Sequence, residues 1–340
     1  MSVAFGAAWW RPRSRTRLWL IASLGLIACV ALALSAGAYG RLWAQWANGG
    51  AEVFWHIRLP RALLGVLAGA ALGVAGALAQ GLFRNPLADP GLIGVSAGAA
   101  LGAATAIVAG GRTLGLWWGP QSLMVAAFLG SLLMTALTWR LARREGHVDT
   151  ARLLLTGLAL NAAAAAALGW LSFLATDEQL RSLTFWTLGS LSGSTWPPVL
   201  ACGAVVAGCL VALGARRRDA HALDALALGE AQARLMGVEV DALQRRCLIT
   251  IALMVGAVTA LIGMVAFVGL LAPHAVRLLA GPRHGVVLPG SALSGAGLVL
   301  LADTGARTLV APAEMPLGVL TGLVGAAVFL SILYRHRHLH

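Results

Sequence analysis

Lysine is absent from all 340 residues, so the formal net charge of +12 rests on arginine alone. Without a lysine to reach nucleotide phosphates, a P-loop is excluded. Charge of either sign is scarce, at 11% of residues, where a soluble domain carries roughly 25%. With 59% of residues hydrophobic and a mean hydropathy of +0.81, water is not the main solvent of this chain. The four cysteines, Cys29, Cys202, Cys209 and Cys247, stand singly in or beside apolar stretches. They form no C-x-x-C or Cys/His pair of metal-site spacing and read as small apolar residues. A pI of about 11.4 suggests nucleic acid, but the arginines sit in short clusters between apolar runs, with no soluble basic face to hold them.

Also missing are ionisable residues in the middle of the apolar stretches, which an ion-coupled transporter needs for its pathway. Asp89, Asp303 and Glu314 fall at stretch ends. Asn161 is the main polar exception and reads as an interhelical hydrogen bond. The eight histidines lie in loops, at stretch ends or in the C-terminal tail, not in facing pairs as the axial ligands of a membrane haem protein would.

What is present is length. A helix needs roughly 20 mostly apolar residues to cross a bilayer core. Charge-free stretches of that order run 18–40, 62–83, 90–111, 113–139, 153–176, 182–215, 247–276, 284–302 and 315–334. Arg11, Arg13, Arg15 and Arg17 precede the first, and Arg335 and Arg337 follow or close the last. The positive-inside rule therefore puts both termini in the cytoplasm and requires an even number of crossings. The segment 242–280 is about 58 Å long as one helix, nearly twice the bilayer core. It is expected to hold two spans, one over about 242–262 and a shorter, broken one to about 280, with Gly263, Gly269 and Pro273 as break points. With ten spans, 19 of the 25 arginines are cytoplasmic. The first apolar run exceeds the roughly 7–15 residues of a signal-peptide core, so it is expected to be retained. The fold class is thus an all-α polytopic membrane protein of about ten helices, with 1–340 as a single transmembrane domain. Gly65, Gly69 and Gly73, and again Gly94, Gly98 and Gly102, recur every fourth residue, a pattern that lets helices pack closely in lipid.

The largest polar insertion runs from Arg216 to Arg246. Leu223, Leu226, Leu228, Leu235 and Met236 are spaced for two short amphipathic helices, 219–227 and 230–237. Gly229 separates them, and Glu230 sits where a helix dipole favours negative charge. An apolar ridge there either docks into a groove on a soluble protein or lies flat on the bilayer; pattern alone leaves both open.

Several long motifs then resemble the FecCD-type permeases of type II ABC importers, which serve haem, ferric siderophores and cobalamin. They are Ile57-Arg58-Leu59-Pro60-Arg61, the run from Gln80 to Gly91, Leu226-Ala227-Leu228-Gly229-Glu230 with Ala233 and Gly237, Phe267-Val268-Gly269-Leu270 with Pro273-His274, Leu288-Pro289-Gly290, Ala302-Asp303 with Arg307, and Glu314-Met315-Pro316-Leu317-Gly318. The resemblance covers nearly all of the chain after residue 50. It implies a homodimer of ten-helix subunits in the bacterial inner membrane, two cytoplasmic ABC ATPase subunits that hold ATP and magnesium, and a periplasmic substrate-binding protein. No cofactor on this chain and no enzymatic activity of its own are implied.

Carried over by motif, Leu226, Leu228, Gly229, Glu230, Ala233, Arg234 and Gly237 look like the ATPase-coupling helices. Arg58, Arg61 and Arg307 match positions that meet acidic residues of the binding protein, although Arg307 also stands one helical turn from Asp303. Asn85, Leu87 and Thr150 match the cytoplasmic gate, while Asn85-Pro86 equally reads as a turn between spans. The segment Arg181–Leu191 is most similar to the haem members, with haem as transported substrate and Arg181 as a candidate cation for its propionates; Arg181 equally reads as a loop arginine beside Asp177 and Glu178. His56, His274 and Met315 are candidate transient contacts. A ferric siderophore or cobalamin remains the alternative cargo, and an ion-coupled secondary transporter a distant one.

Overall fold

The structure is a computed structural model and describes residues 15–36, 50–109, 121–144 and 147–337. Arg11 and Arg13 lie outside the described residues. The helices are α1 (Arg15–Ser35), α2 (Leu59–Leu82), α3 (Val95–Val108), α4 (Gln121–Ala142), α5 (Thr150–Leu174), α6 (Asp177–Leu188), α7 (Trp196–Ala215), α8 (Arg217–Leu226), α9 (Glu230–Leu235), α10 (Val240–Ile262), α11 (Val268–Ala280), α12 (His284–Thr308) and α13 (Leu317–Arg337). Among the described residues seven helices are long and apolar enough to cross a membrane, and three shorter apolar helices, α3, α11 and α13, fall on the remaining expected spans. A two-residue antiparallel pairing, Arg143–Arg144 with His147–Val148, closes the turn between α4 and α5.

Helix α2 is the axis of the bundle. A π-helical turn, Phe54–Arg58, leads into it without a break from Gly50, and Pro60 follows that turn, a place where a proline ring and its missing N–H disturb a regular α-helix. It packs on α7, α10, α11 and α12, while α3, α4 and α5 form a second group joined to α10. The α2–α12 contact is made backbone to backbone. A Cβ on Gly69 would collide with Gly295 O, and one on Gly73 with Ser291 O, so the glycine stripe is a close-approach surface. The second stripe works the same way, with Gly98 and Gly102 of α3 against Gly130 and Ala126 of α4. Leu129 and Leu133 of α4, Leu155 and Phe173 of α5, and Val211 of α7 face outward, as apolar side chains do when lipid is the solvent.

The hidden break falls where expected. Helix α10 ends at Ile262, Gly263 adopts φ +75°, and α11 starts after Phe267 at φ +64°. Gly269 and Pro273 lie inside α11 and are not break points. Pro273 has no N–H to offer the carbonyl of Gly269. Gln80 of α2 reaches that carbonyl instead, with Nε2 at 3.5 Å from Gly269 O and 3.4 Å from Leu270 O, while its Oε1 accepts from Arg277.

Two spans are corrected. The charge-free stretch 182–215 is not one crossing: α6 stops at Leu188 and α7 starts at Trp196. Between them Gly189 takes φ +69°, the Ser190 N–H donates to Ile262 O at the end of α10 (2.8 Å), and the Leu317 N–H donates to Gly189 O (2.9 Å). The stretch from 90 opens with a 3-10 turn, Pro90–Ile93, and Gly94 at φ +93°, so α3 starts only at Val95.

Candidate functional site

The polar groups gather at the two ends of the bundle. At one end, called here the arginine-rich end, the C-terminus of α2 meets the N-termini of α5, α10 and α12 beneath the segment α8–α9. The opposite end gathers the C-termini of α1 and α12 with the N-terminus of α2.

Helices α8 and α9 lie within two residues of their expected bounds. Gly229, at φ +118°, makes the corner between them, a conformation that L side chains rarely adopt. Helix α9 closes in a Schellman arrangement: Val238 N–H donates to Ala233 O and Gly237 N–H to Arg234 O, both at 3.0 Å, with Gly237 left-handed at φ +81°. The expected single ridge is split. Leu223 and Leu226 are turned into the core together with Ala233, whereas Leu228, Leu235 and Met236 are 66%, 88% and 64% exposed. Only the latter three form an outward apolar surface.

Three acids of this segment each bond a different spanning helix. Arg246 of α10 holds Asp219 through two bonds, Nε at 3.1 Å from Oδ2 and Nη2 at 2.8 Å from Oδ1. Asp224 Oδ1 accepts the His284 N–H at the start of α12 (2.8 Å) and lies 2.6 Å from His284 Nδ1. Thr150 Oγ1, at the start of α5, donates to Glu230 Oε1 at 2.9 Å. Two expected site residues, Thr150 and Glu230, are thereby joined; Asp219, Asp224, Arg246 and His284 are additional. Their polar character was visible in the sequence, but nothing local paired residues 27 and 60 positions apart.

Asn85 and Leu87 form the turn at the foot of α2. Arg84 is left-handed at φ +52°, the Asn85 N–H returns to Gln80 O (3.1 Å), and Asn85 Oδ1 accepts from the Leu87 N–H (2.9 Å). Both side chains are exposed. The next turn is capped by Asp89, whose Oδ1 accepts from Gly91 N–H at 2.7 Å. Burial raises the Asp89 carboxyl above the ordinary carboxylate range, and that hydrogen bond opposes the shift. Asn161 Nδ2 donates to Gly91 O at 3.0 Å, which is the interhelical bond expected of it.

At the opposite end the three arginines are buried, with 5%, 9% and 5% of Arg58, Arg61 and Arg307 exposed. They are not surface forks, because the guanidinium groups are turned to this chain's own oxygens. Arg61 grips Asp303 through Nε and Nη2 (2.9–3.1 Å) and Glu314 through Nη1 (2.9 Å) and Nη2 (3.0 Å). Arg307 pairs with Asp303 at 3.2 Å, one turn earlier on the same helix. Arg58 donates to the carbonyls of Leu34 and Ser35, and Arg307 to those of Ala33 and Ala36. The last carbonyls of a helix have no partner within it, so these two arginines cap α1 where its dipole is negative. Within the cluster, Glu314 is the more open acid, its side chain 37% exposed against 3% for Asp303.

The four substrate-path candidates sit on four different elements: Arg181 exposed on α6, His56 in the turn before α2, His274 on α11 and Met315 before α13. Arg181 is helical, not in a loop, three and four residues after the acids of the first turn. Among the described residues no group of three His, Cys, Asp or Glu side chains is placed to hold a metal ion.

The bundle thus has an apolar girth, a polar segment bonded to three spanning helices at one end and a buried charge cluster at the other. It is similar to known membrane permeases. The hemin transport system permease protein HmuU of Yersinia pestis is 44% identical over 325 residues, 94% of each chain. The vitamin B12 import system permease protein BtuC of Serratia proteamaculans is 38% identical over 331 residues, 97% of this chain and 96% of that one. A solved structure described as an inward-facing conformation of a metal-chelate type ABC transporter superposes with a TM-score of 0.85 at 30% identity, covering 94% of this chain and 99% of that chain. The sequence model of the FecCD transport family matches residues 20–335, and the chain belongs to that family.

Proposed function

We propose that this chain is the membrane-spanning permease subunit of an ATP-binding-cassette importer that moves haem from periplasm to cytoplasm. It works as a pair of copies on two ATPase subunits and receives cargo from a periplasmic binding protein. The observation that carries the reading is the 44% identity to a hemin permease along 94% of both chains. Cobalamin is the second cargo to test, on the 38% identity to BtuC. In this reading the arginine-rich end and both termini are cytoplasmic, and the exposed Leu228, Leu235 and Met236 enter a groove of the ATPase. Asn85, Leu87 and Thr150 stand at the cytoplasmic exit.

At the periplasmic end Arg58, Arg61 and Arg307 are paired within the chain, and it is the exposure of Glu314 that supports a specific form of docking. An acidic side chain of the binding protein takes the place of Glu314 on Arg61, since arginine suits bidentate carboxylates and Glu314 is the exchangeable partner.

Reconstitution in liposomes with the ATPase and binding protein tests the whole. Haem-loaded binding protein should raise ATP hydrolysis and load haem into the lumen, with cobalamin and a ferric siderophore far less effective. Uptake that runs on a proton or sodium gradient without ATP would refute the importer reading. Preference for cobalamin would reassign the cargo alone. Gly229→Arg or Glu230→Arg should insert normally yet lose the ATPase, and a terminal tag reached from the periplasm would overturn the topology.

A further inference from the structure

The segment from Arg217 to Gly237 closes on itself through the Schellman turn of α9 and seats Leu223, Leu226 and Ala233 in the core it shares with the spans. Its directional bonds to the spans are few. Its three acids reach out to three spanning helices, and each partner lies within the first two turns of its helix: Thr150 on α5, Arg246 on α10 and His284 on α12. The His284 ring is in turn wedged against α2, because a Cβ on Gly81 would lie 2.6 Å from Nε2. Apolar contact is non-directional and lets surfaces slide. A charge-assisted hydrogen bond holds its partner at a fixed distance.

We propose that Asp219–Arg246, Asp224–His284 and Glu230–Thr150 are three latches that make this segment a lever, so that a push on Leu228, Leu235 and Met236 reaches the ends of α10, α12 and α5 together. These six are positioning residues: none needs to touch cargo or nucleotide. The Glu230–Thr150 latch ties the lever to the expected cytoplasmic exit. The inference rests on the reading of this segment as the surface that meets the ATPase.

The test uses the full complex in liposomes and reads haem taken up per ATP hydrolysed. Asp219→Ala and Asp224→Asn should keep the ATPase bound and hydrolysing while uptake per ATP falls by about tenfold, the factor expected when one charge-assisted bond no longer favours one state. The exchange of Asp219→Arg with Arg246→Asp should recover most of that ratio, which a general loss of fold would not. Hydrolysis and uptake falling in parallel, an unchanged ratio, or loss of the ATPase already in Asp219→Ala would overturn the latches. Leu235→Glu separates the two claims. If the ATPase stays bound in that variant, the reading of the surface fails, whatever the latch variants do.

Discussion

Replacement of Arg61 by methionine probes the charge cluster most directly. Arg61 makes three contacts to Asp303 and two to Glu314, all between 2.9 and 3.1 Å. Methionine keeps the apolar stem and removes every one of them. Glu314 can turn to solvent, but the Asp303 side chain is 3% exposed and cannot. Breaking a buried ion pair by removing one partner costs about 3–5 kcal/mol, because it leaves an uncompensated charge. Here Arg307 remains 3.2 Å from Asp303 Oδ2, so the lower end of that range, about 3 kcal/mol, is expected. Unfolding of the detergent-solubilised protein by sodium dodecyl sulfate, followed through its 12 tryptophans, gives the number. If Arg61→Met unfolds within about 0.5 kcal/mol of the parent, the range of an inconsequential surface change, the cluster does not hold this end together.

Gly73→Leu should prevent accumulation of folded protein by forcing α2 off α12, whereas Gly169→Ala, with nothing within 4 Å of the added carbon, should express and unfold like the parent. Asn161→Leu should destabilise by about 1 kcal/mol, the scale of a hydrogen bond between membrane helices; the same unfolding assay reads it, and no change would remove the bond to Gly91 from the account. Glu314→Gln should tighten capture of the binding protein, most strongly at low salt, because the partner's carboxylate then meets a neutral and weaker competitor at the open side of Arg61. Weaker capture, measured by titration on immobilised vesicles, would mean that Glu314 is itself a docking group.

The ten spans were legible because their signals are local. A charge-free run long enough to cross lipid and a glycine that breaks a helix are both read within a few residues, as the separation of α10 from α11 at Gly263 shows. The division of 182–215 was missed for the same reason. Gly189 to Thr195 carries no charge, so a test for charge passes over it, although its glycines and serines and the Pro197-Pro198 that follows mark a turn. Amphipathic spacing located α8 and α9 but left open which side each leucine faces. Leu223 and Leu226 point inward on α8, Ala233 points inward on α9, and Leu228, Leu235 and Met236 point outward, which spacing within one short helix does not decide. The fate of the arginines was least legible. The Arg61–Asp303 pair joins residues 242 positions apart, and the Arg307 bond to Ala33 joins residues 274 apart.

The division of labour along the bundle follows from the solvent. In the apolar middle a charge is costly and helices gain no hydrophobic attraction for one another, so α2 and α12 are held there by backbone contact at Gly69, Gly73, Ser291 and Gly295. Such contact fits in only one way, which makes the pair a rigid slab. The charged pairs lie at the ends, where desolvation is less severe, and α5 is bonded through Thr150 to Glu230 at its start and through Asn161 to Gly91 in its middle. A force applied through Glu230 therefore reaches α5 at Thr150, while α5 packs along α3 and α4 and not along the α2–α12 slab. Two groups each packed within themselves move against one another as rigid parts more readily than either bends.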